Sequence, residues 1–383
     1  MKARTINSLR CRKIQSSNMF SQSQSGEKKN YPGCQGLIKG QLRIDDQVIV
    51  WKNQASDDDY NNLLSWCQGV GSPVFVKPSE TEKNLTIDRL TLVSWNVHVG
   101  SGDLDQFIND LQKGHLTDGE PVEHFVMLLQ EAYRQDSSVP VNIPPYANAG
   151  NNIYVTTPKG LRVDIITIAR KHGLGLFYVP SMRNGRQENT NVPEDRGNAI
   201  LSTIPISRPI AVELPLERQR RTAIAANIAS ITKTNMSWKI QLINVHLENR
   251  TSGLMFFRGF SIARLNQITA LLKILPEEKI AVMAGDFNTW FREMREPTIK
   301  HVENFFNQLG IVSKCDSPKI PRKRYLLFPD RLVDYLFFRV PENWHTEKYY
   351  VNDYYGSDHY PLITKISFLD NAGEKESMSR AYP

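Results

Sequence analysis

The 383-residue sequence predicts an α+β fold: a sandwich of two sheets with helices on the outside. Three observations predict it. Apolar strand-like runs recur from Leu90 to Ser367. Several are apolar on both faces, as strands covered on both sides must be. Amphipathic helical patterns are interspersed among them, and no internal repeat is present.

Taken in order, residues 1–35 are polar and low in complexity and read as a disordered tail. Residues 36–86 read as an N-terminal extension packed on the main domain. It contains a short strand at Gln47–Trp51 and a helix at Tyr60–Cys67 with Leu63, Leu64 and Cys67 on one face. The main domain spans 87–370, and 371–383 form a C-terminal tail. Its strands are expected at Leu90–Trp95, Phe125–Leu129, Ala199–Ser202, Ala223–Ile228, Ile240–His246, Ile280–Ala284, Leu332–Phe338 and Pro361–Ser367. Leu104, Phe107, Ile108 and Leu111 mark a first helix, with Gly114 beyond it as a stop. Ile262, Leu265, Ile268, Leu272 and Leu275 mark a second. Ile299, Val302, Phe306 and Leu309 mark a third, closed by Gly310 as a C-terminal cap.

The net charge of +7 is compatible with a polyanionic partner, nucleic acid or an acidic lipid surface, but does not demand one. Part of the excess sits in Lys2, Arg4, Arg10, Arg12 and Lys13 of the tail. The four cysteines have no metal-ligand spacing, which argues against zinc. Nothing in their spacing demands a disulfide, which favours a reducing compartment. No apolar run has the length of a transmembrane segment, and the first thirty residues lack an apolar signal core. Cytoplasmic is therefore the default, and a monomer is expected.

The informative feature lies where apolar strands stop. Asn96 and His98 close the first strand, two apart and so on one face. Gln130-Glu131 closes the second. Asn244 and His246 close another, and Asp286 and Asn288 follow Ala281–Gly285. Asp334 lies inside an apolar strand, where a carboxylate is costly unless paired. Ser357-Asp358-His359 comes last. Each block alone is also what a turn, a cap or a satisfied core histidine looks like. Together they describe one site of hard oxygen ligands and imidazoles, an inventory that suits magnesium or manganese.

The ordered blocks Ser94-Trp95-Asn96, Leu129-Gln130-Glu131, Gly197–Ser202, Asn244-Val245-His246-Leu247, Gly285-Asp286-Phe287-Asn288, Asp334-Tyr335 and Ser357-Asp358-His359 resemble the endonuclease/exonuclease/phosphatase superfamily. The resemblance runs from about Leu90 to about Phe368. Pro180–Gly185 and Glu194–Asn198 look like an uncharacterised bacterial branch of it. The resemblance implies a four-layer α/β/β/α sandwich, its two mainly antiparallel sheets packed face to face. It implies a divalent-metal-dependent hydrolase of phosphate esters, a phosphodiesterase or nuclease, with Mg2+ or Mn2+ as cofactor. The metal would be held by Glu131 and Asn96, with Asp358 as a further ligand. Asp286 would activate water. Asn288 would hold the phosphate by hydrogen bonds. His359, charged by Asp334, would contact the phosphate, and His246 would donate to it or protonate the leaving group. His98 is expected behind the ligands.

Arg183, Asn184, Arg196 and Asn198 are candidates for substrate binding, since guanidinium suits bidentate phosphate contact; bracing of loops is the equal alternative. Arg218, Arg220 and Arg221, and the patch Lys319, Arg322, Lys323 and Arg324, are candidates for a nucleic-acid backbone, although a charge run is more often a solvated face. Trp290-Phe291 and Leu326-Leu327-Phe328 would suit a lipid-directed phosphodiesterase or phosphatase, the alternative to a nuclease. A non-catalytic binding module ranks last, because no member of the core set is missing.

Overall fold

The computed structural model describes residues 31–54, 57–79, 86–141, 160–184, 193–249, 259–289, 297–307, 314–315 and 333–368. The strands are β1 (Gln41–Ile44), β2 (Gln47–Asn53), β3 (Val74–Val76), β4 (Arg89–Asn96), β5 (Phe125–Arg134), β6 (Gly175–Arg183), β7 (Asp195–Ser202) and β8 (Ser207–Glu213). They continue with β9 (Thr222–Ile231), β10 (Ser237–His246), β11 (Ala281–Asp286), β12 (Lys314–Cys315), β13 (Asp334–Arg339), β14 (Trp344–Tyr350) and β15 (Leu362–Phe368). A 3-10 turn at Pro32–Cys34 leads into α1 (Gln35–Lys39), and α2 is Asp57–Cys67. The others are α3 (Leu104–Gln112), α4 (Ile165–Lys171), α5 (Gly259–Ile274) and α6 (Pro297–Asn307).

Two sheets result, in the orders β1-β2-β8-β9-β10-β11-β13-β12 and β14-β15-β4-β5-β7-β6-β3. Most pairings are antiparallel; β2·β8, β10·β11 and β4·β5 are parallel. Side chains alternate across each strand, and three apolar clusters report the layers. Leu90, Leu92, Val126 and Leu128 of one sheet meet Ile224, Leu242, Val282 and Leu336 of the other between the sheets. Val93, Trp95 and Met127 pack under α3 and α4. Ile243, Met283 and Phe337 pack under α5 and α6. Helix, sheet, sheet and helix thus form a four-layer α+β sandwich.

Local chemistry accounts for the helix starts. The Asp103 side chain accepts from Gln106 N at 2.9 Å and caps α3. Asp164 accepts from Ile166 N and Thr167 N and caps α4. Gly114, at φ 82°, follows α3 as expected. In α5 the expected apolar stripe is uneven: Ile268 and Leu272 are buried, but Ile262 is 56% exposed.

Several expectations need correction. Tyr31 to Gln35, assigned to a tail, belong to the described fold, where Cys34 is buried. The extension does more than pack against the domain. Its β2 pairs with β8 and its β3 with β6, so it supplies strands to both sheets. Cys34 and Cys67 form a disulfide, which no spacing rule demanded. With this disulfide present, the cysteines do not favour a reducing compartment. Leu309, Gly310, the Lys319–Arg324 patch, Trp290-Phe291 and Leu326–Phe328 lie outside the described residues. Among the described residues, no helix is long and apolar enough to cross a membrane.

Candidate active site

Strand register assembles the site. His246 of β10 is the partner of Asp286 in parallel β11, and Asp286 is the partner of Asp334 in antiparallel β13. The three side chains share a face with Leu242, Val282 and Leu336, and so point into the gap between the sheets. Gly285 makes the middle position possible. At φ 149° its backbone passes so close to β10 that a Cβ would lie 1.9 Å from the Val245 carbonyl. From the opposite sheet, Asn96 at the end of β4 donates from Nδ2 to Asp286 Oδ2 at 3.0 Å. Asp286 Oδ1 accepts from Asn288 N at 2.8 Å.

His359 completes the cluster from the loop before β15. Its Nδ1 lies 2.8 Å from Asp334 Oδ2 and its Nε2 3.9 Å from Asp286 Oδ2. Its carbonyl accepts from Trp95 Nε1 at 3.0 Å, and its backbone N donates to Ser357 Oγ. Burial works against its cationic form, but Asp334, and then Asp286, overcome this and push the imidazole up to about 10. Burial pushes Asp286 up to about 7; His359 opposes that shift and Asp334 adds to it. Burial also drives His246 well below its ordinary value, reinforced by Arg221, Arg196 and His359.

Arg221 Nη1 lies 3.0 Å from His246 Nε2. A guanidinium has no acceptor, so Nε2 must be the acceptor. In this arrangement Nε2 accepts from Arg221, where the sequence suggests a donor to phosphate or to a leaving group.

The remaining expected residues divide. Glu131 occupies a bulge in β5 at φ 53°, a costly backbone for a non-glycine residue, and is half-buried. Asn288 also has a positive φ, 52°, and its Nδ2 donates to Leu247 O at 3.0 Å. Asp358 is half-exposed; its Oδ1 lies 3.9 Å from His359 Nε2 and 3.7 Å from His98 Nδ1. Arg183 is a brace and not a free phosphate ligand, because its guanidinium donates to the Gly69, Pro140 and Val141 carbonyls. Asn198 Nδ2 is likewise engaged, donating to Thr222 O at 2.6 Å. Asn184 Oδ1 accepts from Arg196 Nη1 at 3.3 Å, and both residues are buried.

Two of the three arginines of the basic triplet at 218–221 do not face solvent. Arg220 is fully buried against Glu213 and the Pro180 and Ser181 carbonyls, and Arg221 is turned inward to His246. Asn244 is not a ligand either. Its Oδ1 accepts from Gln130 Nε2 at 2.8 Å, and its Nδ2 donates to the Leu129 and Ala199 carbonyls, fastening one sheet to the other. Sequence reasoning missed Arg221 as part of the site. The available signal was its place directly ahead of the doubly buried β9, where an arginine finds no solvent.

Two donor groups bear on a metal. Asp286, Asp334 and His359 offer ligand atoms all within 4.8 Å of one another. Glu131 lies outside that group, yet among the described residues its carboxylate makes no hydrogen bond or ion pair; it acts on Arg196 through its field. A half-buried carboxylate held on a strained backbone, without a partner among the described residues and next in sequence to Gln130, the register partner of Asn96, fits a hard divalent cation. In the tighter group, Asp334 Oδ2 and His359 Nδ1 already satisfy each other.

The family profile described as endonuclease/exonuclease/phosphatase matches residues 93–359, well over half the chain. The chain belongs to that family, whose members are phosphoester-hydrolysing enzymes. Among solved structures it is similar to an endonuclease/exonuclease/phosphatase from Beutenbergia cavernae, at 15% identity over 74% of this chain and 72% of that one, with a TM-score of 0.46. A family protein from Leptotrichia buccalis matches at 14% identity over 73% and 100%, with a TM-score of 0.43. Sphingomyelinase C from Streptomyces griseocarneus matches at 18% over 73% and 99%, with a TM-score of 0.39. No curated protein sequence matches the chain.

Proposed function

We propose that the chain is a divalent-metal-dependent hydrolase of phosphate esters, acting on diesters by attack of an activated water. The observation that carries this reading is the convergence of Asp286, the His359–Asp334 pair and Asn96 at one end of the inter-sheet gap. Asp286 is the base. Asn96 and the Asn288 amide hold its two oxygens, and its raised affinity for a proton suits it to take one from water near neutral pH. His359, held cationic by Asp334, binds a phosphoryl oxygen and stabilises the charge that grows there. The Asn288 side-chain N–H not given to the Leu247 carbonyl adds a hydrogen bond to the same group. Glu131 and Asn96 hold the cation, Mg2+ or Mn2+, with Asp358 as a further ligand. When bound, the cation supplies Lewis-acid polarisation of the phosphoryl group. A non-catalytic role is disfavoured because Glu131, Asp286, Asn288 and His359 are all present.

The nucleic-acid reading loses the support of Arg220, which is fully buried against Glu213. The general basic excess remains in its favour. Turnover of bis(p-nitrophenyl) phosphate against the mono-ester tests the diester assignment; faster mono-ester turnover would contradict it. Plasmid nicking and sphingomyelin turnover then separate nucleic-acid from lipid substrates.

A further inference from the structure

Four of the buried arginines come with compensation, although Nε and Nη1 of Arg339 have no acceptor among the described residues. Arg134 lies against Asp195, with Nε donating to Oδ1 at 2.9 Å, and Arg220 lies against Glu213. Arg183 is met by three backbone carbonyls. Arg339 meets a carbonyl and the rings of Phe305 and Phe306. Arg196 and Arg221 break this pattern. They are 3% and 2% exposed, and among the described residues neither has a carboxylate within ion-pair distance. Among the described residues, Arg196 reaches Asn184 Oδ1 at 3.3 Å and Met182 Sδ at 3.9 Å, Arg221 reaches His246 Nε2 and Gln219 Oε1, and the Nε of each has no acceptor.

Both sit beside the proposed chemistry. Arg221 bonds the imidazole whose Nε2 is 3.6 Å from Asp286 Oδ2. Arg196 lies on the same face of β7 as Ile200, which packs between the sheets. Its charge is felt at Glu131, Arg221 and His246. Two buried guanidiniums that face each other's field, with no carboxylate at ion-pair distance among the described residues and with Glu131 and Glu194 acting on Arg196 only through their fields, call for an anion.

We propose that Arg196 and Arg221 form a phosphoryl-oxyanion subsite that binds phosphate without the metal, and that His246 serves as the neutral acceptor aiming the Arg221 guanidinium. Arg221 is then a substrate-binding residue and His246 a positioning residue. This extends the hydrolase reading above and rests on it for the location of the phosphoryl group. Guanidinium is suited to the task because its planar fork of N–H donors matches phosphate oxygens.

Inorganic phosphate titrated calorimetrically into the full chain, with all divalent metal chelated, tests it. Wild type binds. Arg221→Gln and Arg196→Gln each weaken binding at least tenfold at unchanged melting temperature, and Arg221→Lys, which keeps the charge, recovers most of the affinity. His246→Gln, which keeps an acceptor, retains more affinity than His246→Leu. No phosphate binding by wild type, or wild-type affinity in a folded Arg221→Gln, overturns the proposal. If the Gln variants fail to fold, the wild-type chain is read by arginine modification with phenylglyoxal and peptide mass spectrometry. Phosphate must then protect Arg196 and Arg221, and absence of protection overturns it. Bis(p-nitrophenyl) phosphate turnover by metal-loaded wild type tests the hydrolase reading separately, so the two failures are distinguishable.

Discussion

Two imidazoles lie within 4 Å of the same Asp286 oxygen, at 3.6 and 3.9 Å, and their other partners drive them apart. His359 faces a carboxylate and stays cationic; His246 faces a guanidinium and stays neutral. In Asp334→Asn the alkaline limb of the kcat/KM profile should move down from about 10 toward the ordinary histidine value of about 6.5. A limb that does not move would remove Asp334 from its charging role. The same shift carries a stability term. The folded value lies above the unfolded one, so the contribution is complete below about pH 6.5 and is lost as pH rises through about 10. Asp286 works in the opposite sense for activity: in the metal-free site it takes up a proton as pH falls through about 7. The Asn96 hydrogen bond favours its charged form, so Asn96→Leu should shift the acid limb of the profile to higher pH. The types of these residues were legible in the sequence, because polar groups at the ends of apolar strands stand out. Their protonation partners were not, since Arg221 and His246 are 25 residues apart and meet only once β9 and β10 pair.

Among the elements, β5 carries the sharpest demand. Its bulge turns Glu131 into a left-handed backbone while Gln130 and the Leu129 carbonyl are held across the sandwich by Asn244. Asn244→Leu leaves buried donors and acceptors unmet, at about 1–3 kcal/mol for each group. A lower melting temperature and reduced turnover are expected together; wild-type stability would contradict the clamp. The Cys34–Cys67 disulfide closes a 33-residue separation, for which the chain-entropy relation gives about 3–4 kcal/mol. Denaturation of the oxidised and reduced chains measures it. The central strands were readable because they are apolar on both faces. The strands β1, β3 and β14 lie at sheet edges, where the apolar signal is weak. β6 is wholly buried but begins Gly-Leu-Phe-Tyr and ends on a polar run, and α4 spans only seven residues. The disulfide left no trace in spacing, because two cysteines define no framework.

For the whole molecule, the site exists only because the two sheets meet. Asn96 and Glu131 come from one sheet, His246, Asp286 and Asp334 from the other, and His359 from the loop between β14 and β15. The family blocks made this convergence legible in advance, since their order along the chain matches a known arrangement. The N-terminal strands added to both sheets were not foreseen, because no chemistry marks residues 36–86. Chelation should abolish turnover and Mg2+ or Mn2+ should restore it; full activity in excess chelator would count against the metal. The most direct test of the central claim is bis(p-nitrophenyl) phosphate hydrolysis in Mg2+ by wild type and Asp286→Asn side by side. The account predicts a loss of about 10²- to 10⁴-fold in kcat with the fold retained, the range for a removed general base. Near wild-type turnover in a folded Asp286→Asn would contradict it.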